Sequence, residues 1–408
     1  MTNNKKLNIN ELIFKLIMLF PIAGVLERVV FLSNINKILI ALTILLLGLK
    51  TISQNIKRRD ILILISMIIV YFGAFINTTK ALDNFNDIFY LGIWILFFIW
   101  IKANFSEVKE MINRQEDYIY KIIVIWNVIV FISLFFKSSY YNTWGGNDGY
   151  FKSFSGGEHR LAATCIFIIA LDWIIVQKRK DKKYLLWVVI PFISIYLSGA
   201  RTYLVIVLIF AICIYKQLCQ SSRKFYLTVI PLMALMVLAI SFTPMWSKFE
   251  VTFQEGYWGW MGTITSGRSV FWAADIEAYK DLDIVRKIVG NGYNFIYDVN
   301  AKATGTRIWA HNDFINILLT NGMLGVLCYL YVFISFSESI LKKYNVKGFV
   351  KFGYYMIWLF NAMFNMVYTY ICATLALPFI LYSFTEINEK GKVIKEKSDR
   401  NENICGNT

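Results

Sequence analysis

The chain of 408 residues holds two histidines, His159 and His311. His311 sits in Ala310-His311-Asn312-Asp313-Phe314, directly before a long apolar run. An imidazole titrates near neutrality, so at the mouth of a membrane cavity it is well suited to take a proton from a hydroxyl; a hydrogen-bonded structural role is the plainer alternative. Arg201 stands in Ser198-Gly199-Ala200-Arg201-Thr202, a minimal turn between two apolar runs. Burying a guanidinium beside lipid is costly, which marks it for function unless it snorkels to headgroups. Arg268 stands in Ser266-Gly267-Arg268-Ser269, with Trp272 one turn on, where a helix is expected to begin. Free backbone N–H groups and the positive end of the helix dipole would join its charge, making an anion site that suits a phosphate.

Around these three stand residues expected to contact a substrate: Trp272, Asn312, Asp313 and Arg286. Arg286 and Lys287 suit the C-terminal helix dipole or lipid headgroups equally well. Trp144 belongs to a string rich in Tyr, Asn and Gly, Tyr140 to Asn147. Aromatic faces and short polar groups suit a pyranose, although membrane-belt aromatics and turn residues account for the same string. Asp281-Leu282-Asp283 has the form of a metal-binding carboxylate pair, but residues two apart on a helix face different ways, so it reads as a solvated edge and no metal site is expected. Gly290-Asn291-Gly292 lacks the third glycine and the βαβ frame of a dinucleotide fingerprint and reads as a turn. Glu27-Arg28, Asp172, Asn361 and Asn365 read as interhelical hydrogen-bonding groups. The six cysteines fall in or beside apolar runs or in the C-terminal tail, so core packing is expected rather than a disulfide framework.

The elements that must hold these residues are membrane helices. The chain is 57% hydrophobic and 17% charged, a balance that lipid can bury and water cannot. Apolar runs recur at Leu12 to Phe31, Ile35 to Leu49, Ile61 to Ile76, Ile88 to Ile101, Ile119 to Phe136, Leu161 to Val176, Tyr184 to Leu197, Tyr203 to Leu218, Phe225 to Phe242, Phe314 to Phe336, Phe352 to Tyr370 and Cys372 to Phe384. That predicts an all-α polytopic bundle of about twelve spans, each near the ~20 residues needed to cross a bilayer.

The net charge of +15 is distributed as a topology signal, not as a nucleic-acid surface. Lys and Arg cluster at Lys5/Lys6, Lys57 to Arg59, Lys178 to Lys183, Arg223/Lys224, Lys342/Lys343 and Lys390 to Lys397, in alternate loops. The positive-inside rule makes those loops and both termini cytoplasmic, and the first apolar run reads as a signal anchor rather than a cleaved peptide. The chain then divides into an N-terminal bundle, 1–243, with an outer loop at 137–159; a large outer loop, 244–311; a C-terminal bundle, 312–388; and a basic tail, 389–408. The large loop, about 68 residues, exceeds any connector's need. Within it Phe271, Ala274, Ala278, Leu282, Val285 and Val289 recur at helical spacing, predicting one amphipathic helix from about Ser269 to Ile288, capped by Ser266 or Ser269 and ended by Gly290.

An Arg in a short outer turn, a long outer loop opening on an Arg and an aromatic, then Gly-x-Gly, His-Asn-Asp-Phe and Asn-Gly-x-x-Gly together resemble the O-antigen polymerase and ligase superfamily. The motifs run from Ser198 to Gly325. The resemblance implies a glycosyltransferase with a GT-C-like membrane fold, acting without a metal or other cofactor on undecaprenyl-pyrophosphate-linked oligosaccharides at the outer face of a cytoplasmic membrane. Its two arginines and its histidine fall on Arg201, Arg268 and His311. A flippase and a chain-length regulator are the partners it implies. Polymerase of repeat units, for capsule or O-antigen, is the expected activity. A ligase of the same superfamily and a flippase or transporter of the same lipid-linked sugar are the alternatives.

Overall fold

The chain is described from a computed structural model that covers residues 8–387 apart from 30, 31, 33, 56, 81, 83–85, 143–148, 220, 242–261, 263, 264 and 266. Trp144, Trp258, Trp260, Ser266 and the basic tail lie outside the described residues. Helices follow the apolar runs: α1 (Ile9–Val25), α2 (Ile35–Ser53), α3 (Arg58–Ile76), α4 (Asp87–Arg114), α5 (Glu116–Ser133), α6 (Glu158–Arg179), α7 (Val189–Ser198), α8 (Arg201–Leu218) and α9 (Ser222–Ser241). The large loop contributes α10 (Arg268–Lys280), α11 (Ile284–Val289) and α12 (Phe295–Thr304). The chain then continues through α13 (Asp313–Lys343), α14 (Gly348–Phe364) and α15 (Ile371–Ile387). The protein is therefore an all-α membrane protein. Among the described residues six helices, α2, α3, α4, α6, α8 and α13, are long and apolar enough to cross a bilayer.

Position in the bundle follows from which faces are apolar. α4 is buried on every side from Tyr90 to Ile101 and α6 from Leu161 to Asp172, so these two form the centre. Trp94 of α4 stacks on Tyr329 of α13 with centroids 4.5 Å apart, and its indole N–H donates to the Tyr329 carbonyl at 3.0 Å. α3 carries Ile68, Phe72 and Phe75 exposed, an outward face that only lipid can cover. At the opposite end from the candidate site, Lys109 and Lys178 both reach Glu386, at 3.0 and 3.1 Å, tying α4, α6 and α15 together.

Two elements were not anticipated. A hairpin, β1 (Tyr140–Asn142) and β2 (Gly149–Phe151), pairs Tyr140 with Phe151 in antiparallel register. It anchors the connection between α5 and α6 by burying Phe151 completely. The second is α12, which packs against α10 around Ile296, with Trp272 and Tyr279 alongside.

The single amphipathic helix expected over Ser269 to Ile288 is instead broken in two. Asp283 turns back to accept the Arg286 N–H at 3.0 Å, starting α11 afresh. A short polar side chain that caps the backbone outcompetes continuation of the apolar period. The start of α10 is held by Thr265, whose hydroxyl oxygen accepts the Ser269 N–H at 3.1 Å, so Ser269 is capped and not capping.

Gly290 does end this region, and it does more. It adopts φ +91°, and a Cβ there would overlap the Thr320 carbonyl of α13. Gly322 of α13 faces it at φ +69°, ψ −174°, a kink that frees carbonyls one turn back. The loop takes them: the Asn291 N–H donates to Leu319 O at 2.9 Å and the Gly292 N–H to Thr320 O at 3.3 Å. A non-helical backbone inside an apolar helix is tolerated because its polar groups are satisfied by protein. Asn77 at the end of α3 completes the crossing by donating to Gly290 O at 2.8 Å.

Candidate functional site

Four helices, α6, α8, α10 and α13, begin at one end of the bundle, and their first residues meet. α7 ends at Ser198, Gly199 turns the chain at φ +63°, and α8 starts on Arg201. Tyr150 of the hairpin lies beside Arg201. Arg268, the first residue of α10, feels the charge of Arg201 and also neighbours Glu158 and Tyr370. His311 neighbours Arg268 and His159. Its ring centroid lies 6.5 Å from that of His159 and 6.3 Å from that of Trp309. Arg201, Arg268 and His311, far apart in sequence, thus share one cluster.

The electrostatics follow from burial and crowding. Burial lowers the Arg268 guanidinium to about 10, with Arg201 adding to the shift and Glu158 opposing it, so it stays charged at neutral pH. His311 is held well below the ordinary imidazole range, first by burial, then by Arg268 and His159. It is neutral at pH 7 and carries a lone pair. Its backbone stands at φ +51°, a left-handed conformation rare for a residue with a side chain. Trp272 braces that strained segment, donating its indole N–H to the Ala310 carbonyl at 2.7 Å. Strain held by its surroundings is common where a side chain must be aimed.

The other residues expected to bind substrate make the following contacts within the protein. Asn312 caps α13, its side-chain oxygen accepting the Ile315 N–H at 3.2 Å. Asp313 is fully buried, its Oδ2 accepts from the Tyr329 hydroxyl at 2.6 Å, and it neighbours the backbone of Val367 and Tyr368 in the turn before α15. Trp272 acts through the backbone before His311. Arg286 is exposed and pairs with Asp283 at 3.3 Å, as a helix-edge residue. Of the polar groups assigned to helix contacts, Glu27 pairs with Arg160 and accepts the Gly156 N–H at 3.1 Å.

Three members of the cluster were not foreseen: His159, Glu158 and Tyr370. The run Gly156-Gly157-Glu158-His159-Arg160 was the available signal, a dense polar string immediately before an apolar helix. Tyr370 gave no signal, because Tyr368 to Thr374 reads as a tight turn. Among the described residues no group of His, Cys, Asp and Glu has the arrangement of a metal site. What the arrangement can do chemically is bind an anion between two guanidiniums and place a neutral imidazole beside it. No family model and no curated protein matches the chain.

Proposed function

We propose that the protein is a membrane polysaccharide polymerase that joins undecaprenyl-pyrophosphate-linked oligosaccharide repeats on the outer face of the cytoplasmic membrane. In this reading the bundle has twelve spans and a GT-C-like plan. The observation that carries it is the convergence of Arg201, Arg268 and His311 on one cluster. The two arginines hold the diphosphate of the donor and offset the charge that grows on it as the glycosidic bond breaks. A hydroxyl of the acceptor sugar attacks the donor's anomeric carbon from the face opposite the diphosphate. The new C–O bond forms as the old one breaks, the configuration inverts, and undecaprenyl pyrophosphate leaves. The hydroxyl proton passes to the neutral His311 imidazole.

The test is to incubate the purified protein with lipid-linked single repeats. A ladder of lengthened chains with release of undecaprenyl pyrophosphate is expected, falling roughly 100-fold or more in Arg268→Ala and His311→Ala. Full-length product from either variant sinks the assignment. A ligase would give no ladder without a second acceptor, and a flippase would move the labelled lipid without lengthening its sugar.

A further inference from the structure

A half-open recess lies beside the arginine and histidine cluster, walled by the ends of α1, α2, α4, α6 and α15. Its polar lining comprises Glu27, Asn36, Asn86, Arg160, Thr164 and Thr369, and its aromatic lining includes Tyr90 and Tyr370. The Glu27 carboxylate and Arg160 guanidinium are paired, so together they add no net charge to the cavity. Such a lining does not suit a second diphosphate, which needs uncompensated cations, nor an isoprenoid tail, which would strand the ion pair and two amides against hydrocarbon.

What the lining does suit is a pyranose: an acid, a guanidinium and two amides for the hydroxyl rim, and ring faces for the apolar C–H surface. Tyr370 is the joint between cavity and cluster. It lines the cavity, its ring lies 6.2 Å from that of His159 and 6.4 Å from that of Trp309, and it neighbours both Arg160 and Arg268. We infer that this cavity is a saccharide subsite, holding the acceptor sugar so that its hydroxyl passes Tyr370 to reach His311. The inference rests on the proposed glycosyl transfer, but saccharide binding in the cavity is measurable without it.

The protein in lipid nanodiscs is titrated separately with inorganic pyrophosphate and with methyl glycosides of hexoses, N-acetylhexosamines and uronic acids, reading tryptophan fluorescence and thermal shift. At least one glycoside class is expected to bind. Asn36→Trp, which narrows the cavity from its half-buried rim on α2, should weaken glycoside binding at least tenfold and leave pyrophosphate binding unchanged. Asn86→Leu, which removes an amide without adding bulk, should weaken it in the same direction. Arg268→Ala should do the reverse, losing pyrophosphate and keeping the glycoside. Absence of any glycoside binding, equal binding by both cavity variants, or displacement of the glycoside by a short isoprenoid alcohol overturns the inference. Glycoside binding that is lost in the cavity variants, alongside a protein that ignores pyrophosphate, instead overturns the donor assignment and leaves the subsite standing.

Discussion

His311 is defined by its neighbours. A base must be neutral to accept a proton, so activity is present above its pKa and lost below it. Burial, Arg268 and His159 hold that pKa below the ordinary imidazole value, so the acid limb of kcat/KM should lie at lower pH than a free imidazole would give. Removing a neighbouring positive contribution by His159→Gln should move the limb upward, toward the ordinary value, and Arg268→Gln should move its residual activity the same way. A limb unmoved in both variants would detach His311 from the proton transfer. Arg201, Arg268 and His311 were legible in the sequence because ionisable groups at the edges of apolar runs are costly and therefore conspicuous. The internal hydrogen bonds of Asn312 and Asp313 were not legible, because sequence alone does not reveal whether a polar side chain reaches its own backbone or a neighbouring helix. Asp313 stands near His311 in the chain, and its Oδ2 accepts from Tyr329 beside the turn at Val367 and Tyr368.

Elements were legible wherever one period dominated. Each apolar run became a helix, whereas the large loop, where capping competes with periodicity, was read as one helix and shows three among its described residues. The hairpin escaped notice because strands of three residues are too short to alternate visibly. The crossing of Gly290 over Gly322 was visible only as two loose glycine motifs, since its meaning lies in two backbones touching. Alanine at either position needs a Cβ where the opposing backbone already stands. Gly290→Ala or Gly322→Ala should therefore destabilise the protein by about 3 kcal/mol or more, read as a lowered melting temperature in detergent. By contrast Gly305→Ala, whose Cβ meets open space, should carry only the strain of its φ of +75°. Equal melting temperatures for the Gly290 and Gly305 variants would refute the contact as the cause.

At the scale of the whole molecule the arrangement of charge predicts which side faces out. A single cysteine replacing the exposed Lys302 of α12 should react with a membrane-impermeant maleimide in intact cells, whereas one replacing Lys57, before α3, should react only after lysis. The opposite pattern would invert the topology and put the arginine cluster on the wrong side for lipid-linked donors. The crossing at Gly322 also bears on the order of biogenesis. Residues 284–293 leave the ribosome before α13 does, so the loop must wait for the later helix whose open carbonyls it will occupy. His311 reaches Arg268 only once the chain has been made through to that helix, so a chain stalled before α13 carries both arginines and still lacks the complete cluster.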